Sequence, residues 1–338
     1  MSKVYPELLS APCIKKLSKP VLTKDDVPYE SSCVFNAGVI KHNGKYLMIF
    51  RNDYGTDKES FENGKHFQGT SIGFAESENG VDNWKVFPKP LCDSHDFEGT
   101  ETSRLYDPRI IEIEGKLYLC LAKDTKHGVC GCIAELSEDL KSYKIISTSV
   151  PDNRNMVLFP EKIGGYYVRL ERPMPVYGRG GKDRFDMWLS VSPDLEFWGK
   201  SELVLGVEDI PYANDKIGPA APPIKTKEGW LTIIHAVDID PERGKNGWEK
   251  QWKKRYCAGA VLLDLEDPSK VIGVCKIPLI APDTPIEYDE GFRENAVFPC
   301  AAVLEDDGEV KIYYGASDTV VCLATANVDD LIALCKNN

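Results

Sequence analysis

An aspartate is followed directly by a proline in the string Tyr106-Asp107-Pro108-Arg109. Proline fixes the backbone beside the carboxylate, so the acidic side chain has a defined direction. A carboxylate with few others nearby suits a general acid, which must be protonated before it donates to a leaving group. Arg104 and Arg109 would lower its pKa unless they point elsewhere. An isolated Asp-Pro step is more often the start of a turn, so the assignment depends on where the fold places Asp107.

A second group of candidate residues is cationic: Arg154 in DNRNMVLFPEKI, Arg172 in RLERP, Lys216 in NDKIGPAAPP and His235 in LTIIHAV. Arginine forks combined with a lysine or histidine donor recognise phosphate through charge-assisted hydrogen bonds. Taken singly, Arg172 could form a surface ion pair, Lys216 could be a solvated turn residue and His235 could be a core histidine. The string YGRGGKD does not compete as a phosphate site, because it lacks the lysine and hydroxyl register of a P-loop.

Five segments repeat one order of parts, a glycine turn followed by an alternating apolar strand. They are HNGKYLMIF from His42, IEGKLYLCLA from Ile113, IGGYYVRLE from Ile163, KEGWLTIIHA from Lys227 and DDGEVKIYYGA from Asp306. Each is preceded by a strand-like run and followed by another, with glycine where a tight hairpin requires it. Five copies of such an antiparallel unit predict an all-β fold, a five-bladed β-propeller. A β-sandwich gives no reason for the shared order.

The rest of the chain fits a single domain of residues 1–338, since no linker rich in Gly, Ser or Pro divides it. The first thirty residues, rich in proline and lysine, are predicted to strap across the blades or to help close the ring. Near the end, the string VDDLIALC predicts one short helix.

The propeller gives the candidate residues a common location, because the first strand of every blade lies at the central axis. Polar residues at the starts of these strands are Asn36, Asp107 and Lys216, and Asp318 ends the second strand of the last blade. The four cations fall at equivalent ends of the repeat in two consecutive blades. The pattern predicts an anion site at the axial mouth, where propellers usually bind ligands, although a fold alone names no reaction.

Composition excludes several classes of function. A net charge of −12 disfavours binding to nucleic acid or to an anionic membrane surface. No run approaches the roughly 18 apolar residues of a membrane span, and the N-terminus lacks the apolar stretch of a signal peptide. The 11 cysteines are scattered, without zinc or redox spacing, and are interpreted as reduced core residues. The sequence therefore predicts a cytoplasmic protein without a metal site.

Strings spread over the chain resemble glycoside hydrolase family 130, the β-mannoside phosphorylases. They are VFNAGV, YDPR, VPDNRNMVLFPEKI, LERP, KIGPAAPPIKTKEGWL, HAV, GAVLLDLEDPSKVIG and KIYYGASDT, and they run in the family's order from about Ser32 to the C-terminus. The family's fold is a five-bladed propeller, in agreement with the repeat count.

The resemblance implies a role for each candidate residue. Asp107 is implied as the catalytic acid, whose proton reaches the glycosidic oxygen through a hydroxyl of the mannose. The implied phosphate-binding residues are Arg154, Arg172, Lys216, His235 and Tyr256. The implied mannose-binding residues are Asn36, Arg51, Asp107 and Asp318. Ala37 departs from members that place a serine there, so any contact from that hydroxyl is missing. Inorganic phosphate is a co-substrate, and no cofactor is implied.

One acid with four cations is a consistent set for inverting phosphorolysis. An inverting glycosidase needs a second carboxylate, opposite the acid, to activate water. Phosphate is already an anionic nucleophile, so a cationic pocket can replace that base. Inversion of a β-mannoside then yields α-mannose 1-phosphate.

The linkage is predicted from further resemblances. The strings RNDYG, SVPDNRNMV, RPMPVYGRGGKDRFD and VDIDPERGKNGWEKQWKKRY look most like members that act on β-1,2-mannobiose or β-1,2-oligomannan. The alternative is a β-1,4-mannosyl phosphorylase with glucose, mannose or N-acetylglucosamine as acceptor. Two insertions, residues 177–186 and 240–255, are candidates for the acceptor end, where Trp248 and Trp252 either stack on a sugar or anchor a loop or subunit contact. Relatives are commonly homo-oligomers, so a dimer is the default expectation.

Two rival functions remain open. The first is an inverting hydrolase on the same fold, with Glu171, Glu161 or Asp53 as the base. The second is a non-catalytic carbohydrate-binding or scaffold propeller, for which the charge of Asp107 would be of no consequence.

Overall fold

Five antiparallel sheets form the blades of a β-propeller. The computed structural model describes residues 8–174, 185–240, 243 and 253–336. Strand β1 (Lys15–Lys16) precedes the first blade, which contains β2 (Cys33–His42), β3 (Lys45–Tyr54), β4 (Gly69–Ser77), β5 (Lys85–Val86) and β6 (Cys92–Asp93). The second blade contains β7 (Thr102–Ile113), β8 (Lys116–Thr125), β9 (Gly128–Leu136) and β10 (Tyr143–Thr148). The third contains β11 (Asn153–Leu158), β12 (Tyr167–Pro173), β13 (Met187–Ser192) and β14 (Gly199–Leu205).

The last two blades complete the ring. The fourth contains β15 (Lys216–Pro219), β16 (Ile224–Lys225), β17 (Trp230–Ile239), β18 (Lys254–Leu263) and β19 (Val271–Val274). The fifth contains β20 (Val297–Leu304), β21 (Glu309–Ala316) and β22 (Val320–Asn327). The helices are α1 (Lys58–Glu62), α2 (Pro285–Tyr288) and α3 (Val328–Lys336), and 3₁₀ turns occupy Lys24–Asp26, Ser94–Phe97 and Val207–Asp209. The predicted propeller and C-terminal helix are therefore confirmed.

The hairpins between the first and second strands follow the predicted turn chemistry. Asn43 and Gly44 both have positive φ, at 50° and 79°, as do Glu114 and Gly115, at 52° and 77°. Two consecutive residues with positive φ are typical of the turn that matches the right-handed twist of a β-hairpin. These turns fix the register of β2 with β3 and of β7 with β8, and hence which side chains face the axis.

The first strands of neighbouring blades pack closely around the axis. A Cβ on Gly38 of β2 would lie 2.9 Å from the backbone nitrogen of Ile110 in β7, so only glycine permits this approach. Large side chains, including Phe50, Trp230, Tyr313 and Tyr314, fill the spaces between blades and are almost completely buried. The close packing brings the polar ends of β2 and β7 together.

The N-terminal segment closes the ring, as the predicted strap requires. Strand β1 pairs antiparallel with β22, so that the fifth blade is completed from the other end of the chain. Lys16 Nζ lies 2.5 Å from Asp283 Oδ1 and 2.6 Å from Glu287 Oε2. Residues 1–7 lie outside the described part.

The structure also bears on the cysteines and on membrane-spanning helices. All eleven cysteines are free thiols, and all but Cys13 are buried. Within the described residues, no helix combines the length and the apolar character needed to cross a bilayer.

Candidate active site at the propeller axis

A cavity of about 420 Å³ opens at the axial mouth. Its wall takes Asn36, Arg51 and Asp53 from the first blade, Tyr106 and Asp107 from the second, Arg154 from the third, Tyr256 from the fourth and Asp318 from the fifth. Phe61, His66 and Phe67, from the connection between β3 and β4, and Phe292 and Arg293, which precede β20, form much of the rim. Every blade therefore contributes a polar side chain to one enclosed space.

Bulges in the first strands direct side chains toward the axis. Asn36, Asp107 and Asn155 have φ values of 50°, 51° and 58°, and the pairing register shifts at each of them. A bulge inserts an extra residue that turns out of the ladder, and Asn and Asp tolerate the left-handed conformation better than most residues. The same device in three consecutive blades thus places three polar side chains around the axis.

Asp107 is 3% exposed and is held by two donors from the first blade. Asn36 Nδ2 donates to Asp107 Oδ1 at 2.9 Å, and Arg51 Nη1 donates to the same oxygen at 3.2 Å. Burial opposes ionisation, but Arg51, Arg109 and Arg154 outweigh it and hold the pKa of Asp107 down at about 2. The carboxyl is therefore ionised at neutral pH.

The arginines beside Asp107 in sequence point away from its carboxylate. Arg104 Nε donates to Asp124 Oδ2 at 2.7 Å, and its guanidinium stacks on the ring of Tyr106. Arg109 donates through Nη1 to the backbone carbonyl of Asp107 at 2.7 Å and through Nε to the carbonyl of Ala220 at 3.0 Å. Arg109 thus supports the bulge while still contributing positive charge.

Asp318 is a second carboxyl of the cavity. Its surroundings raise its pKa, whereas those of Asp107 lower the pKa of Asp107. For Asp318, burial raises the pKa, Asp107 and Asp53 add to that effect, and Arg293 and Arg51 oppose it. Arg293 Nε lies 3.0 Å from Asp318 Oδ2. Two carboxyls that line one cavity, Asp107 and the less buried Asp318, therefore differ in how readily they ionise.

The predicted cations form one cluster beside Asp107. Arg154 faces Arg172 across the β11–β12 pair and donates to Tyr106 Oη at 3.3 Å. Arg172 Nη1 lies 3.0 Å from His235 Nε2, and Lys216 Nζ lies 5.9 Å from the ring centre of Tyr256. Arg154 and Tyr256 line the cavity, whereas the other three do not and contact these two or one another.

The positive charges of this cluster lie close enough to affect each other's pKa. Burial and the neighbouring Arg154 lower the pKa of Arg172 to about 9. Burial and Arg172 lower the pKa of Lys216, and the same two causes place that of His235 well below its usual value. Like charges gathered in a buried space repel each other, so an anion bound among them is stabilised.

Comparison with known proteins places this chain in a family. Residues 12–337 match the family model Glyco_hydro_130, described as beta-1,4-mannooligosaccharide phosphorylase. The chain belongs to glycoside hydrolase family 130.

Relatives within family 130 share almost the full length of the chain. A 1,2-beta-oligomannan phosphorylase of Thermoanaerobacter sp. (strain X514) is 33% identical over 326 residues, which cover 94% of this chain and 98% of the relative. A beta-1,4-mannooligosaccharide phosphorylase of Ruminococcus albus is 32% identical, with 95% and 90% covered. A solved beta-1,2-mannobiose phosphorylase of Listeria innocua shares the fold with a TM-score of 0.77 at 24% identity, covering 96% of this chain and 99% of that one.

The structure brings together every site residue that the sequence predicted in this family 130 chain. Asn36, Arg51, Asp107 and Asp318, the predicted mannose-binding set, all line the cavity. The predicted phosphate-binding set lies beside them, as described above. The two acceptor insertions are different, because residues 177–184, 241–242 and 244–252 lie outside the described part, as do Trp248 and Trp252.

The three carboxylates considered as a hydrolytic base occupy different places. Glu171 bonds Asn153 at 2.7 Å and Arg169 at 3.0 Å, and it does not line the cavity. Glu161 is on the surface, paired with Lys225. Asp53 does line the cavity, but both of its oxygens are bonded to Arg51.

Two contributors to the family 130 site were missed from the sequence. Asn155 Nδ2 lies 3.4 Å from His235 Nε2 at the bulge of the third blade, and Arg293 pairs with Asp318. Asn155 could have been found by aligning the repeats, since Asn36, Asp107 and Asn155 occupy equivalent positions. Arg293 lies outside the repeats and carried no such signal. In the described residues, no group of three or more His, Cys, Asp or Glu side chains is placed to hold a metal ion.

Proposed function

We propose that this protein is an inverting β-mannoside phosphorylase that cleaves its substrate with inorganic phosphate and releases α-mannose 1-phosphate. The observation that carries the proposal is the single cavity in which Asp107 and Arg154, the front of the cation cluster, face the same space. The two relatives compared above are named as mannoside phosphorylases, which fits this arrangement.

In the proposed reaction, phosphate binds to Arg154, Arg172, Lys216, His235 and Tyr256. A phosphate oxygen attacks the anomeric carbon of a mannose held by Asn36, Arg51, Asp107 and Asp318, from the face opposite the leaving sugar. The bond from that carbon to the glycosidic oxygen breaks, and the oxygen takes a proton that originates on Asp107 and passes through a mannose hydroxyl. One bond to phosphate forms, the configuration inverts, and the shortened sugar leaves as an alcohol.

Charge explains why the nucleophile and the acid depend on each other. Arg154 acts on both Asp107 and the cation cluster. A phosphate dianion offsets the positive charge of Arg154, which removes part of the field that keeps Asp107 ionised. Phosphate is therefore proposed to supply the nucleophile and also to favour protonation of the acid. The reaction needs no further cofactor.

Carboxylate geometry argues against the hydrolytic alternative. A base that activates water needs a free oxygen opposite the acid. Among the described residues, the cavity carboxylates other than Asp107 are Asp53, whose two oxygens both bind Arg51, and Asp318, whose Oδ2 is paired with Arg293. The cation cluster would also have no use in an enzyme that attacks with neutral water.

For the linkage, we favour β-1,2-mannobiose or short β-1,2-oligomannan, with β-1,4-mannosides as the alternative. The preference is supported by the strings that resemble β-1,2 members. Overall identity does not separate the two, since relatives named for each linkage are 33% and 32% identical.

We also propose that the enzyme works in the cytoplasm as a homo-oligomer, with a dimer as the default. A reducing compartment is supported by the eleven free cysteines. Light scattering of the purified protein measures the assembly directly.

The deciding experiment incubates the enzyme with β-1,2- and β-1,4-mannobiose, each with and without phosphate. We expect cleavage only with phosphate, faster for the β-1,2 linkage, with α-mannose 1-phosphate observed by ³¹P NMR. Cleavage at the same rate without phosphate would establish a hydrolase. No cleavage of either sugar, together with measurable sugar binding, would favour the non-catalytic alternative.

A further inference from the structure

Asp53 is a completely buried carboxylate beside the proposed acid, and the proposed reaction gives it no role. Its two oxygens receive Nε and Nη2 of Arg51 at 3.0 and 2.6 Å. Thr70 Oγ1 adds a third hydrogen bond, to Asp53 Oδ1 at 2.7 Å. The carboxylate is thus fixed on both sides, and its only charged partner among these contacts is Arg51.

Two aromatic rings hold the guanidinium plane of Arg51, in addition to the contact of one guanidinium edge with Asp53. Its guanidinium carbon lies 4.6 Å from the ring centre of Phe35 and 4.9 Å from that of Tyr106. Arginine stacks favourably on aromatic faces, and two rings restrict its movement out of the plane. Rotation within that plane remains, and Asp53 determines it by binding one edge of the guanidinium.

The direction of Arg51 decides which part of Asp107 is accessible. Guanidinium and carboxylate groups prefer a bidentate fork, which would occupy both oxygens of Asp107. Since Asp53 already takes Nε and Nη2, only Nη1 reaches Asp107, at 3.2 Å on Oδ1. Asn36 binds that same oxygen. Oδ2 receives no hydrogen bond from the described part of the chain.

We propose that Asp53 is a positioning residue: it keeps Arg51 from forming a fork with Asp107, so that Oδ2 stays open to the mannose hydroxyl that carries the proton. This inference rests on the proposed function, in which Asp107 donates through that hydroxyl. Asp53 itself touches neither the reacting carbon nor the phosphate in this role.

The same arrangement has a consequence for pH dependence. Among the described residues, the charged or titratable groups around Asp107 are Arg51 and Asp53 from β3, His66 before β4, Arg104, Tyr106 and Arg109 from β7, Arg154 from β11, Tyr256 from β18, Arg293 before β20, Cys300 from β20 and Asp318 from the turn after β21. Removing the charge of Asp53 leaves that of Arg51 uncompensated next to the acid. The pKa of Asp107 then falls further, and the alkaline limb of the rate profile moves to lower pH.

The test compares Asp53→Asn, Thr70→Val and the double variant Asp53→Asn/Arg51→Gln. For Asp53→Asn we expect kcat to fall by about 10²-fold, with the alkaline limb shifted to lower pH and the KM for phosphate unchanged. In the double variant, kcat should recover above that of Asp53→Asn, because Arg51 is no longer present to form a fork with Asp107. The KM for mannoside should be higher than in the wild type, because Arg51 is also a proposed mannose-binding residue. A merely structural role for Asp53 would not produce that recovery.

Controls keep the result interpretable. Asp93→Asn removes a carboxylate of the same blade that binds Tyr54 and lies outside the cavity, and it should retain wild-type kinetics. If Asp53→Asn does not fold by circular dichroism, Thr70→Val serves instead, with a smaller loss of kcat and the same direction of pH shift. Wild-type kcat and pH profile in the foldable variant, or a double variant slower than Asp53→Asn, would overturn the inference. The phosphate dependence of the unmodified enzyme tests the proposed function separately.

Discussion

Nη1 of Arg172 lies 3.0 Å from Nε2 of His235, at the centre of the cation cluster. An arginine nitrogen can only donate, so Nε2 accepts and the proton of the neutral imidazole resides on Nδ1. Burial and the charge of Arg172 keep the pKa of His235 well below its usual value, which agrees with a neutral ring. His235 can therefore take up a proton when a phosphate dianion binds, and this protonation adds positive charge to the cluster.

Replacing Arg172 or His235 with alanine should weaken phosphate binding selectively. Loss of one charge-assisted contact costs about 1.5–3 kcal/mol, which corresponds to a KM for phosphate raised by about 10–100-fold. Initial rates measured at varied phosphate give this KM, and those at varied mannobiose give the other. Lys225→Ala, at an exposed ion pair with Glu161, is the control. An unaltered phosphate KM in both variants would contradict the assignment.

Two cavity carboxyls must be distinguished, Asp107 and Asp318. Asp107→Asn should lower kcat by about 10²–10⁴-fold without loss of folding, since it removes the proton donor. Asp318→Asn should mainly raise the KM for mannoside. This comparison is needed because the pKa of Asp318 is raised while that of Asp107 is lowered. A larger loss of kcat in Asp318→Asn would transfer the role of acid to that residue.

The N-terminal strap, in which β1 pairs with β22, should contribute measurably to the free energy of unfolding. Lys16 is paired with Asp283 and with Glu287, whose side chain is 1% exposed, so Lys16→Met leaves buried negative charge without its partner. Removing one member of a buried pair costs about 3–5 kcal/mol. Urea unfolding should show this loss, whereas Lys15→Met, at the exposed neighbouring position, should change little. Equal stability of the two variants would mean that the strap does not hold the ring closed.

Sequence alone predicted the parts of the fold that repeat. Five glycine turns with alternating strands gave the number of blades and placed Asn36 and Asp107 at the axis, because strand order and hairpin register follow from local pattern. The C-terminal helix was visible for the same reason.

Contacts between distant segments could not be predicted in this way. That Arg104 points to Asp124 and Arg109 to a backbone carbonyl depends on the bulge at Asp107, which has no signature in the sequence. Arg51 and Asp53, two apart on β3, share a face of the strand by spacing alone, but that this face meets Asp107 depends on the pairing between blades.

The final prediction concerns pH and phosphate together. Asp107 must be protonated to act, so activity is present below its pKa and is lost as pH rises through it. That pKa is about 2, held down against burial by Arg51, Arg109 and Arg154. A phosphate dianion beside Arg154 offsets part of this field and raises the pKa. The alkaline limb of the rate profile should therefore move to higher pH as phosphate increases from subsaturating to saturating.

Arg154→Gln is the matched variant for this experiment, because it removes the cation shared by the acid and the anion site. At low phosphate, the alkaline limb of the Arg154→Gln rate profile should lie at higher pH than that of the wild type. It should also move less as phosphate is added. Rates recorded across pH at two phosphate concentrations, for both proteins, separate this coupling from the ionisation of phosphate itself, which is common to both. An equal shift in the two proteins would mean that phosphate does not act on Asp107 through Arg154.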